Sequence, residues 1–322
     1  MNTSVACALG AALLFGASTP FAKLLLGNMP PLLLAGLLYA GSGIGLFITR
    51  LIKDGGWQSP QMAFTEWLWL LCAITFGGVL APAALMIGLI AVNGSTASLL
   101  LNLESVLTAL LAWVIFKEHT NKRMILGMVM VVTGSVLLTV TSGGGAQSVA
   151  TSHESLWGIL SIAVACLCWA IDNNLTRKVS SSDAFFVASS KGWVAGAVNI
   201  SLALYFGASI PEWTLALASM AVGFLGYGIS LVLFILALRG LGTARTGAYF
   251  SIAPFAGTAL SLILLREPTT PFFWLATAFM ALGVWLHLTE HHEHEHEHVI
   301  AGQAPIRHSH PHYPDVDHQH AH

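Results

Sequence analysis

Of 322 residues, 55% are hydrophobic and 9% charged, whereas a water-soluble domain carries roughly a quarter charged residues. A freely soluble fold is therefore excluded, and lipid must supply the missing apolar partner. The net charge of −2, with histidine neutral, leaves no basic patch and excludes nucleic acid as a partner. Cys7, Cys72, Cys166 and Cys168 all lie in apolar runs. Cys166-Leu167-Cys168 lacks the two-residue gap of a redox or zinc pair, so all four read as packing residues.

In chain order, candidate spans cover approximately 4–26, 31–52, 67–92, 96–116, 123–141, 157–178, 184–206, 213–238, 244–265 and 271–288, each close to the length that crosses a bilayer. Met1-Asn2-Thr3-Ser4 enters apolar sequence without a Lys or Arg. It thus lacks the basic region of a cleaved signal peptide, and the first helix is expected to stay. Trp67, Trp69, Trp157, Trp213 and Trp274 open spans, while Trp113 and Trp285 lie near the ends of theirs, where aromatic rings favour the headgroup layer. Gly41 to Gly45 and Gly192 to Gly196 have the spacing that lets helices approach closely. Pro20, Pro82 and Pro254 are expected to interrupt their helices by removing a backbone donor.

Loop charge sets orientation, because loops rich in Lys and Arg stay cytoplasmic. With the N-terminus inside, the cytoplasmic face takes Arg50, Lys53, Lys117, Lys122, Arg123, Arg177, Lys178, Arg239, Arg245 and Arg307, against Lys23 and Arg266 outside. The protein is then expected in an inner or plasma membrane, with both termini in the cytoplasm. The Ser/Gly-rich stretch around Gly143-Gly144-Gly145 separates spans five and six as an external linker. The expected division is a five-helix unit over 1–141, a linker over 142–156, a second five-helix unit over 157–288 and a tail over 289–322.

The two units resemble each other. Phe116-Lys117-Glu118 closes the fourth span as Leu265-Arg266-Glu267 closes the ninth, and the same shift carries Gly134 onto Gly283. Because each half has an odd number of spans, the halves lie upside down relative to one another, the inverted repeat from which many secondary transporters build alternating access. With Ser251-Ile252-Ala253-Pro254-Phe255 inside the ninth span and Gly-rich fifth helices, the chain resembles the drug/metabolite transporter superfamily of the EamA type over roughly residues 4–288. The resemblance implies an all-α membrane protein of ten helices that moves small polar metabolites, often exporting amino acids or related compounds. The fourth span departs from the pattern, with Leu103-Glu104-Ser105 where the ninth has Ala253-Pro254.

Glu104 lies eight residues into a span beginning near Thr96, about 12 Å at ~1.5 Å per residue and close to mid-membrane. A carboxylate there must be protonated, paired or facing a hydrated cavity. It is a candidate for coupling or cation contact, or else a carboxyl hydrogen-bonded between helices. Asn102 and Thr108 on the same helix are candidates to line a polar path. Asp172, beside Asn173, and Lys191 on the next span are each ~10–12 Å deep, so they can form an ion pair that serves as packing or as a gate opened by substrate. Tyr227 and Tyr249 offer hydroxyls to a cavity, or pack.

Twelve of the fourteen histidines fall in the last segment, which alternates with Glu as His292-Glu293-His294-Glu295-His296-Glu297-His298. With Pro305, Pro311 and Pro314 and few apolar residues, it is expected to be disordered. His291, His292, His294, His296, His298, His308, His310, His312, His318, His320 and His322 are candidate ligands for zinc, nickel or cobalt, although no cofactor is required for function. The sequence holds no Gly-x-x-x-x-Gly-Lys-Ser/Thr loop for ATP. His119 and His153 do not join Glu104 or Asp172 in a buried catalytic set, so an enzyme is not expected. The expectation is a secondary transporter, able to form a homodimer, that exports small polar metabolites. The alternatives are a divalent-metal exporter served by the tail, or a membrane-anchored metal sensor.

Overall fold

The computed structural model describes residues 3–56, 60, 62–116, 122–142, 149–176, 179, 182–241, 243–288, 292–298 and 306–312. Its helices are α1 (Thr3–Leu26), α2 (Pro31–Asp54), α3 (Phe64–Ala73), α4 (Ala81–Ala91), α5 (Gly94–Leu100), α6 (Asn102–Phe116), α7 (Lys122–Ser142), α8 (Val149–Thr176), α9 (Ala184–Tyr205), α10 (Trp213–Gly223), α11 (Ser230–Leu241), α12 (Thr243–Phe250), α13 (Ala253–Leu265) and α14 (Pro271–Leu288). Helices dominate because hydrocarbon offers no water to backbone N–H and C=O groups, which must bond within their own segment. Seven stretches are long and apolar enough to cross a membrane, and Ala253–Leu265 and Pro271–Leu286 are shorter apolar helices.

Taken by continuity, these helices make ten passes. The π-helical segment Ile74–Leu80 joins α3 to α4, and Phe224–Ile229 joins α10 to α11. The fourth pass breaks at Leu101 between α5 and α6, and the ninth at Ser251-Ile252 between α12 and α13. The offset that takes Gly134 to Gly283 takes Ile74–Leu80 onto 223–229, and Leu101 onto Phe250 at the edge of the second break. Each half therefore repeats not only its helices but also its irregularities.

Packing follows the same operator. Gly43 of α2 lies on Gly192 of α9, its own repeat mate; a Cβ on Gly43 would fall 2.6 Å from the Gly192 carbonyl carbon. Gly134 of α7 meets Ala276 and Met280 of α14, while Gly283 of α14 meets Gly127 and Val131 of α7. Small residues let main chains touch where no hydrophobic force separates protein from lipid. The largest apolar cluster gathers α2, α4, α5 and α8 around Leu34, Leu38, Leu85, Leu100 and Ile162, each almost fully buried.

Thr3 starts at what is here called the near end of the bundle. At the far end, Glu267 accepts from Gly94 N (2.7 Å) and Ser95 N (2.8 Å), the first amides of α5. Lys23 donates to the carbonyls of Leu89, Ile90 and Val92 at the close of α4. A carboxylate at a helix N-terminus and an ammonium at a C-terminus each match the end charges of the helix dipole. At the near end, Arg50 Nε lies 2.8 Å from Asp183 Oδ2 and 3.5 Å from Asp54 Oδ2. Asp183 also caps α9, accepting from Phe185 N and Phe186 N.

Several expectations are corrected. The linker expected over 142–156 is helical from Val149, because intrahelical bonds need no apolar side chains and polar residues are tolerated beyond the bilayer. Pro20 lies inside an unbroken α1, whereas Pro82 follows the π-helical segment of the third pass and Pro254 the break of the ninth, as a missing backbone donor entails. Within the tail, the backbones of His292–His298 (β1) and Ile306–His312 (β2) lie antiparallel, His292 opposite His312. Alternating His and Glu has the period of two that a strand requires.

Candidate functional site

The π-helical segment Ile74–Leu80 is the centre of the polar interior. A π turn leaves carbonyls out of the regular ladder, and in a bilayer they need donors. Gly77 O accepts from Tyr39 Oη of α2 (2.9 Å) and from Trp169 Nε1 of α8 (3.1 Å), and Gly78 O from Asn199 Nδ2 of α9 (3.3 Å). Three helices are thus tied to one irregular segment. Gly77 carries no side chain because Asp172 occupies the space: a Cβ there would lie 2.6 Å from the Asp172 Cβ.

Asp172 Oδ1 accepts from Lys191 Nζ at 2.6 Å and from Thr176 Oγ1 at 2.9 Å, and Lys191 also donates to Thr176 Oγ1 at 2.7 Å. The triangle satisfies both charges without water. One residue on, Asn173 Nδ2 donates to Glu104 Oε1 at 2.8 Å and reaches Thr108 Oγ1 at 3.4 Å. Among the described residues Glu104 has no cationic partner. Its carboxylate faces an amide while the adjacent acid holds the lysine.

Helix periodicity places this cluster inside the bundle. Leu160, Val164 and Leu167 of α8 are 46%, 51% and 39% exposed and share one face. Asn173 lies on the opposite face at ~100° per residue, yet it too is exposed. An exposed polar residue facing away from lipid borders an interior recess. Tyr227, from the second π-helical segment, stacks toward this region, its ring 5.4 Å from that of Tyr39 and 5.9 Å from that of Phe15.

Glu104, Thr108, Asn173, Asp172 and Lys191 therefore gather in one polar cluster, with Tyr227 beside it. Asn102 does not join them. Its Nδ2 donates to Leu99 O at 2.8 Å and the residue is buried, so it seals the break at Leu101. Tyr249 lies in the last turn of α12 and, among the described residues, makes no hydrogen bond to the cluster; its neighbour Phe250 meets the rings of Phe15 and Phe234 instead. Tyr39, Trp169 and Thr176 were not singled out from sequence, since an aromatic or a threonine within a span carries no mark of its tertiary partner. The candidate metal ligands His291, His318, His320 and His322 lie outside the described residues, and the other tail histidines are described as backbone alone. Among the described residues, no three His, Cys, Asp or Glu side chains come together as a metal site.

An uncharacterized transporter of Methanothermobacter thermautotrophicus is 27% identical over 289 residues, covering 86% of this chain and 83% of that protein. A protein named as a probable amino-acid metabolite efflux pump of Escherichia coli is 27% identical over 294 residues, covering 83% and 88%. A crystal structure superposes with a TM-score of 0.65 at 19% identity, over 89% of this chain and 98% of that one, a likeness of fold alone. The EamA-like transporter family matches residues 2–140 and 156–289, one stretch for each half of the repeat. Two inverted five-helix halves enclosing a polar cluster, matched over nearly the whole bundle, make the chain a multi-pass membrane transporter and a member of the EamA-like transporter family.

Proposed function

We propose that the protein exports small polar metabolites bearing both an ammonium and a carboxylate, amino acids or close relatives, through the recess lined by Glu104, Thr108, Asn173, Asp172 and Lys191. The observation that carries this reading is the pairing pattern: among the described residues Glu104 has amide and hydroxyl neighbours but no cation, and a complete ion pair lies one residue away along α8. A substrate ammonium supplies the charge that Glu104 lacks, and a substrate carboxylate competes with Asp172 for Lys191. Substrate entry thereby gives Glu104 a cation and leaves Lys191 shared between Asp172 and the substrate carboxylate, with Thr176 Oγ1 still donating to Asp172. The names of relatives in Escherichia coli and Salmonella typhimurium, both called probable amino-acid metabolite efflux pumps, support the same class and direction.

In this reading the protein lies in the plasma membrane with both termini cytoplasmic. The far end, sealed by Glu267 and Lys23, is then external. The histidine-rich tail is proposed to bind zinc, nickel or cobalt on the cytoplasmic side, as a regulator and not as part of the transport path. Efflux of labelled amino acids from loaded vesicles tests the central proposal. Glu104→Gln, which keeps shape and hydrogen bonding but removes the charge, is expected to insert, remain monodisperse and lose flux. Wild-type flux with an unchanged pH profile would assign Glu104 to packing.

A further inference from the structure

The repeat is broken at one pair of seams. Between α2 and α10, Gly41 lies against the Met220 backbone and Gly223 against the Leu38 backbone, so the helices meet main chain to main chain. The repeat offset takes Gly41 to Ser190 and brings Gly223 back onto Ile74. With side chains at both positions, the matching seam between α9 and α3 does not close. A groove of about 340 Å³ occupies it, walled chiefly by Phe47, Trp67, Ile74, Phe186 and Trp193.

Two edge-on aromatic pairs frame the groove, Trp67 with Phe186 at 5.8 Å and Phe47 with Trp193 at 6.4 Å. Trp67 and Trp193 are 44% and 45% exposed, so the groove opens toward lipid and not into the polar recess. Its only hydroxyls are those of Ser189 and Ser190, and Ser189 already donates to Phe186 O at 3.1 Å. A slit of this size is too narrow for a helix, whose diameter with side chains is about 10–12 Å, and its lining favours a hydrocarbon chain. Six residues beyond Phe47, or ~9 Å along α2, Lys53 lies with its Nζ 4.6 Å from the centre of the Phe185 ring. Arg50, on the same stretch, is held by Asp54 and Asp183, whereas Lys53 has no acidic partner among the described residues. A cation stacked on Phe185, next in sequence to Phe186 of the groove wall, suits a phosphate joined to an acyl chain.

We propose that the groove between α3 and α9 holds one acyl chain of a phospholipid whose phosphate rests on Lys53. Ile74, on the groove wall, is the first residue of the π-helical segment that carries Gly77 to the polar cluster. The lipid therefore braces the segment on which the recess is built. Native mass spectrometry of the full chain, with dioleoylphosphatidylglycerol and dioleoylglycerol as probes, tests this. Wild-type protein is expected to retain one phosphatidylglycerol through gas-phase activation that strips the diacylglycerol. Lys53→Gln, at an exposed position, should weaken that retention about fivefold, as expected for one lysine near an anionic headgroup. Ser190→Trp, which fills the slit, should abolish it. Equal retention of the two probes, or full retention in Lys53→Gln, would overturn the proposal. So would a lipid-free wild-type dimer that Ser190→Trp converts to monomer, which would make a second copy the occupant. If Ser190→Trp fails to fold, the Lys53→Gln comparison still decides.

Discussion

Asp172 and Lys191 retain 12% and 14% of their side-chain surface exposed, so removing either partner strands the other in a medium that solvates charge poorly. Breaking such a pair costs about 3–5 kcal/mol, while replacing both with neutral groups is far milder. Asp172→Asn and Lys191→Met are each expected to lower the melting temperature in detergent, and the double variant to recover part of the loss. Two single variants with wild-type melting temperatures would show the pair to be energetically idle. Gly77→Ala places a methyl group against the Asp172 side chain and is expected to cost ~1–3 kcal/mol by overpacking, read as a similar fall in melting temperature. Sequence alone exposes Glu104, Asp172 and Lys191, because a charge within an apolar run is conspicuous and depth can be counted along a helix. The Tyr39 and Trp169 bonds to Gly77 leave no such trace, since their acceptor is a backbone carbonyl on another pass. Asn102 shows the converse, a polar residue whose depth suits a pathway while its amide closes a local turn.

At the scale of elements, the two π-helical segments are repeat mates with unequal support. Gly77 and Gly78 carbonyls take three side-chain donors; among the described residues, no side-chain donor reaches Gly226 or Gly228. Backbone with fewer tertiary bonds opens more readily. Hydrogen–deuterium exchange is therefore expected to be faster over Phe224–Ile229 than over Ile74–Leu80, and equal protection would remove the asymmetry. Deleting Leu225 should restore regular α geometry and turn α11 by ~100° relative to α10, giving a protein that inserts but does not transport. The ten passes are legible within a few residues because bilayer thickness imposes a long apolar run on each. The π segments and the breaks at Leu101 and Ser251-Ile252 are not, because a change in hydrogen-bond register leaves composition untouched. The groove is hidden for a related reason: Ser190 and Ile74 are unremarkable until each is set against its glycine mate.

For the molecule as a whole, the ten-to-two division of loop cations predicts both termini on the cytoplasmic side. A reporter fused after His322 should be active only in that compartment, and activity outside would invert the topology. The tail is expected to bind zinc or nickel at neutral pH and to release it as acid protonates imidazoles near pH 6.5, which calorimetry on the 287–322 peptide checks. Deleting 291–322 should leave amino-acid efflux and melting temperature near wild type, since the bundle and its polar cluster lie upstream.

Gly43 resting on Gly192 has a mechanical meaning that neither residue has alone. A contact between mates lies on the two-fold axis that relates the halves, so an exchange of conformation between the halves, the basis of alternating access in inverted repeats, returns it unchanged. The Glu267 and Lys23 closures join residues that are not mates and carry no such constraint. A pair of spectroscopic labels flanking Gly43 and Gly192 should keep one separation throughout the transport cycle, whereas a pair spanning Lys23 and Glu267 should report two. Bulk is kept from that spot on both sides because a Cβ on either glycine would meet the main chain of the other.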